Sequence, residues 1–152
     1  YQYQINPDVP ELKPLLNKIH TLPEAFYYVR DFIGFFPMVT DISIKTTLKN
    51  KYSSCLGKSI LLASLYRALG IDKEDLRIVV GQIKIQNEII DHSWIEVKIN
   101  DIWYQQDTTD LLGKFEFNQF PNRTYSKIFC SRENFCFNET GFAVVSQLNL
   151  LK

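Results

Sequence analysis

Three residues of the types that carry out acyl chemistry occur in the order thiol, imidazole, carboxylate: Cys55, His92 and Asp107. A cysteine attacks a carbonyl carbon as its thiolate. A histidine takes up the thiol proton and returns it to the leaving group, and a carboxylate orients the imidazole. Cys55 opens a predicted helix from Cys55 to Leu69, capped by Ser53 or Ser54 and closed by Gly70. Its expected buried face carries Leu62, Leu65, Tyr66 and Leu69. In the first turn of a helix, unpaired N–H groups and the helix dipole favour an anion and lower a thiol's pKa. The Cys55 amide is there an oxyanion donor as well; Asn50 and Tyr52 are weak candidates for a second. A lone cysteine at a helix start is more often a small buried apolar residue, so the case rests on its partners.

Those partners sit on a predicted hairpin. His92 to Ile99 alternates, Asn100-Asp101 is a turn pair, and Ile102 to Asp107 resumes the strand. A turn centred there sets Ile99 opposite Ile102, Lys98 opposite Trp103 and Trp94 opposite Asp107. His92, Trp94, Glu96 and Lys98 then share one face with Trp103, Gln105 and Asp107, which makes His92 and Asp107 diagonal neighbours. A slip of one residue would part them. Glu96, on the same face, is the alternative orienter, and Ser54 or Ser59 the alternative nucleophile.

Around this core the helices come first. Pro10 to His20 is a short helix at best, and Pro23 to Ile33 a firmer one capped by Thr21, with the aromatic residues from Phe26 to Phe36 read as core. Thr40 to Asn50 reads as a polar approach, and Lys45 to Lys58 as a solvated cleft edge. Strands follow at Asp75 to Ile85, Ile128 to Phe137 and Phe142 to Leu150, with a turn at Asn87-Glu88 and a loop from Leu111 to Tyr125. Helices followed by strands predict an α+β fold, and 152 residues a single domain over 1–152.

Lysine plus arginine equals aspartate plus glutamate at 17 each, so no basic field points to nucleic acid. No apolar run reaches membrane-spanning length. Because the chain starts at Tyr1, a trimmed ectodomain of a larger anchored protein is one expectation. Of the three cysteines, Cys130 and Cys136 are the simplest disulfide pair, leaving Cys55 free. With the sequons at Asn122 and Asn138 this favours an extracytoplasmic setting; two reduced cysteines in a cytosolic hairpin are the alternative. His20 is the only other histidine, so no metal site and no cofactor are expected.

The run from Cys55 through Leu65-Tyr-Arg-Ala-Leu-Gly-Ile71, Arg77-Ile-Val-Val-Gly81, His92-Ser-Trp-Ile-Glu-Val97 and Ile102-Trp-Tyr-Gln-Gln-Asp-Thr108 resembles the core of the transglutaminase-like superfamily. The resemblance implies a papain-like α+β fold, with the nucleophile helix packed on an antiparallel sheet. It places the catalytic triad on Cys55, His92 and Asp107, and gives Trp94 and Trp103 structural or cleft-wall positions. Two positions depart from it: Ser53 replaces a glycine two residues before the cysteine, and Thr108 replaces a proline after the aspartate. The expected activity is thioester-forming attack on the amide or peptide bonds of a peptide or protein substrate, with hydrolysis first and crosslinking second. A non-catalytic binding module on the same fold is the competing class.

Overall fold

A computed structural model describes residues 4–144. Its first elements are short because prolines and caps interrupt them. A 3-10 turn at Pro10–Leu12 runs into α1 (Lys13–Leu16). In α2 (Leu22–Phe32) Thr21 accepts from the Glu24 amide while its hydroxyl donates to the Glu24 carboxylate, a reciprocal cap. Then β1 (Gly34–Phe35) pairs in parallel with β2 (Tyr52–Ser53). Between them lies α3 (Ile44–Asn50), where the sequence suggested only a polar approach. Ser43 caps it, Asp41 accepts from the Ser43 amide and the Thr46 hydroxyl, and Lys51 closes it at φ 61°. With seven residues it is too short to display a helical period.

The central helix α4 spans Cys55–Ala68, with Ser54 accepting from the Gly57 amide at 3.2 Å and Gly70 beyond its end at φ +105°. It buries every residue from Gly57 to Tyr66, not one stripe, because it packs against α2 and α3 as well as β3 and β4. The sheet follows as β3 (Leu76–Ile85), β4 (Glu88–Ile99), β5 (Ile102–Gln106), β6 (Phe120–Pro121), β7 (Cys130–Phe137) and β8 (Phe142–Val144), with α5 (Thr124–Phe129) before β7. Its spatial order is β6-β5-β4-β3-β7-β8, and every pairing is antiparallel. The fold is α+β, a nucleophile-type helix laid on an antiparallel sheet.

Alternation along the strands feeds two cores. Ile78, Ile95 and Val97 meet the helices, whereas Val79, Ile83 and Trp94 meet Phe115, Phe120 and Tyr125 on the far face. The segment expected to be a loop, Leu111 to Tyr125, therefore covers that face and contributes β6 and the start of α5. The last turn of α5 takes Ile128 and Phe129 from the expected strand, which begins at Cys130 instead. The β3–β4 turn is Gln86-Asn87, one residue earlier than expected, since Ile85 pairs with Glu88. Of the expected core aromatics Phe26 is buried, but Phe32 and Phe36 are 68% and 53% exposed. Part of the last expected strand, residues 145–150, lies outside the described residues.

The Cys130–Cys136 disulfide is corrected by the geometry. Both cysteines are free and stand in one strand, six residues apart, which at about 3.3 Å per residue separates them by roughly 20 Å. Their β3 partners, Ile83 and Val79, are likewise about 13 Å apart. A disulfide needs Cα atoms within about 7 Å. The cysteine argument for an oxidising compartment goes with the bridge.

Candidate active site

The β4–β5 hairpin has the register that its turn dictates. Asn100 and Asp101 both take positive φ, 52° and 65°, and the pairs run Ile99–Ile102, Lys98–Trp103, Glu96–Gln105 and Ile95–Gln106. Continuing the alternation sets His92 and Asp107 on one face, and His92 Nε2 lies 2.8 Å from Asp107 Oδ2. Each is 2% exposed. The carboxylate is held from three further directions. Its Oδ1 accepts from the Thr109 amide at 2.9 Å and the Thr109 hydroxyl at 2.8 Å, and its Oδ2 accepts from the Tyr125 hydroxyl at 2.8 Å. Burial alone would raise the Asp107 pKa, but the His92 hydrogen bond and charge, with Tyr125 and Thr109, hold it below the ordinary carboxylate range.

With Nε2 committed to Asp107, His92 Nδ1 is buried without a formed hydrogen bond, and the imidazole faces Cys55. Cys55 is half-buried at the first position of α4, so its amide has no acceptor within the helix. Burial would raise the thiol's pKa; the His92 ring and contacts from Ser93 outweigh this and lower it. Burial would lower the imidazole's pKa, yet Asp107 and Cys55 push it up to about 9. A thiol shifted below its ordinary range beside an imidazole shifted above its own favours transfer of the proton from sulfur to nitrogen. The arrangement can present a thiolate.

Trp94 is buried beneath the imidazole, with ring centroids 6.2 Å apart, and also packs on Tyr125 at 5.1 Å. Trp103 pairs with Lys98, about 20 Å along β4 from His92, and its ring carries the Arg77 guanidinium at 4.3 Å and the Lys98 ammonium at 5.9 Å from its centroid. Trp94 thus packs in the far-face core behind the imidazole, and Trp103 stands away from it along the hairpin. Glu96 accepts from Arg77 at 2.7 Å and Gln105 at 2.9 Å and does not reach His92. Tyr52 is exposed against Phe36, and Asn50 is exposed at the end of α3. Gly81 lies opposite His92, where a Cβ would meet the Arg132 carbonyl at 2.4 Å, so a glycine lets β7 close on the strand behind the histidine. Among the described residues no three His, Cys, Asp or Glu side chains cluster to hold a metal.

Four contributors escaped the sequence reading. Thr109 carried a local signal, a threonine two residues after an aspartate in a strand exit, the spacing of a side-chain turn. Tyr125, Ser93 and Lys58 carried none. Lys58, expected on a solvated edge, is buried one turn after Cys55 and donates to the Ile33 carbonyl. A cation was placed outside by composition alone, whereas α4 is enclosed on all sides.

The crystal structure of a "putative cysteine protease" from Cytophaga hutchinsonii has the same fold, with a TM-score of 0.56 and 19% identity over 95% of this chain. The chain spans about half, 52%, of that structure. No curated protein matches. The family model of the transglutaminase-like superfamily matches residues 14–108, which include the whole span from α2 through Cys55 and His92 to Asp107. By that match this chain belongs to the transglutaminase-like superfamily.

Proposed function

We propose that this domain is a cysteine-dependent acyl-transfer enzyme acting on amide or peptide bonds of a peptide or protein. The observation that carries the reading is the buried 2.8 Å His92–Asp107 contact, whose imidazole faces Cys55 at the head of α4. The Cys55 thiolate attacks the carbonyl carbon, and the Cys55 amide receives the developing oxyanion. His92 passes its proton to the departing amine, leaving a thioester on Cys55. Neutral His92 then takes a proton from water, whose oxygen attacks the thioester and releases the acid and Cys55. Hydrolysis is the favoured outcome; an amine in place of water would give a crosslink.

Iodoacetamide alkylation of Cys55 across pH, followed by peptide mapping, tests this without a known substrate. Cys130 and Cys136 serve as internal controls, because burial pushes the Cys130 thiol up to about 11 and raises Cys136 too. We expect Cys55 to react with an inflection well below the ordinary thiol pKa of about 8.5, and His92→Ala to abolish that advantage. An ordinary inflection in the parent, unmoved in His92→Ala, would mean a binding module on this fold.

A further inference from the structure

The hydroxyl of Ser93 has no use in the fold. Ser93 stands between His92 and Trp94 on β4, opposite Val80 of β3, on the face that carries Ile95 and Val97 toward α4. It is 2% exposed, and its Oγ has no hydrogen-bond partner among the described residues. A buried hydroxyl with no partner costs stability, so an alanine there would suit the fold better. The backbone at the same residue is also unspent on one side. In the two-residue hairpin the pair Ile99–Ile102 exchanges both bonds, so Val97, Ile95 and Ser93 direct their N–H and C=O groups toward β5. The β4–β5 pairing ends at Ile95–Gln106. At Ser93 the strand therefore presents a bare edge, with His92 projecting from one face and the Ser93 side chain from the other.

Cys55 meets that edge. The His92 ring, the Ser93 hydroxyl and the Ser93 amide all act to lower the thiol's pKa, so they lie near its sulfur, although neither His92 Nδ1 nor the hydroxyl forms a hydrogen bond to it in this geometry. Two of the buried polar atoms that lack partners, His92 Nδ1 and Ser93 Oγ, thus converge on one sulfur. We propose that Ser93 Oγ–H donates a hydrogen bond to Cys55 Sγ in its thiolate state, making Ser93 a further catalytic residue that acts beside His92. This rests on the reading of Cys55 as the nucleophile. A neutral thiol is a weak acceptor and a thiolate a strong one, so the hydroxyl is satisfied only when the site is charged for attack.

The test is Ser93→Ala, read by the pH dependence of Cys55 alkylation and by Tm. Loss of one hydrogen bond to a charged sulfur should raise the inflection by about one pH unit. The limiting rate at high pH should stay level or rise, since a more basic thiolate is intrinsically more nucleophilic. At a pH below the inflection, where Cys55 is a neutral thiol, Tm should be unchanged or higher, because the variant removes an unpartnered buried hydroxyl. Above the inflection the variant should lose the stability that the hydrogen bond to the thiolate supplies. An inflection that does not move overturns the proposal, and so does a lower Tm below the inflection, which would give the hydroxyl a structural role. The parent separates the two readings. An ordinary parental inflection unmoved in His92→Ala removes the nucleophile itself, whereas an activated parent with an unmoved Ser93→Ala removes Ser93 alone.

Discussion

At Asp107 the direction of every hydrogen bond is set, and this decides what a single atom change would do. Thr109 donates twice to Oδ1, so an asparagine at 107 keeps its carbonyl oxygen there and turns its NH2 toward His92. Nε2 would then have to accept, and the proton would sit on Nδ1, facing the sulfur that the imidazole must deprotonate. Tyr125 can rotate its hydroxyl, but the imidazole tautomer cannot suit both neighbours. Asp107→Asn should therefore lower amide-directed turnover by roughly a hundredfold or more while the fold persists. It should also bring the Cys55 alkylation inflection back toward an ordinary thiol. Unchanged alkylation in this variant would give Asp107 no part in setting the thiolate.

At the scale of elements, the junction of β2 and α4 compensates for the family glycine that is missing here. Ser53 is fully buried, and a Cβ on Gly57 would lie 1.8 Å from its Oγ and 2.8 Å from its Cβ. The space that a glycine before the cysteine would leave open is filled by Ser53, and the glycine two residues after the cysteine makes room for it. Gly57→Ala should cost about 1–3 kcal/mol through overpacking. In a Ser53→Gly background the same change should be neutral or stabilising, since alanine is favoured over glycine inside a helix by about 1 kcal/mol. Urea denaturation of the four proteins gives the coupling. Equal losses in both backgrounds would refute the contact.

Across the whole molecule the unusual feature is a buried cation without an ion pair. Lys58 donates to the Ile33 carbonyl just past α2, and no carboxylate lies within ion-pair distance of it among the described residues. Burial lowers its pKa to about 8, against the opposing pull of Asp107, Asp110 and Asp31. Between about 8 and the unfolded value near 10.4, the unfolded chain keeps a proton that the fold has released. The unfolded state then binds more protons, so stability rises with pH over that window. Relative to Lys58→Met, the parent should gain on the order of 3 kcal/mol from pH 7.5 to 10.5. Contributions from His92 and Cys55 are common to both proteins and cancel. A flat difference would show that the ammonium reaches water.

The sequence by itself determined the parts that rest on local period and local stops. Ser54, Cys55 and Gly70 bound α4, and the Asn100-Asp101 turn sets the register that carries His92 and Asp107 to one face. Turn geometry and a side-chain period of two act over a few residues, so both are legible without a fold. Tertiary structure alone decided which surfaces those elements meet. It enclosed α4 so fully that Lys58 lost its solvent, and it set Cys130 and Cys136 along one strand where they cannot meet. It brought Tyr125, from the segment covering the sheet, to Asp107, and it ended β5 early enough to leave Ser93 beside Cys55. Burial and long-range contact depend on what covers each face, and periodicity in one segment carries no record of the segment that packs against it.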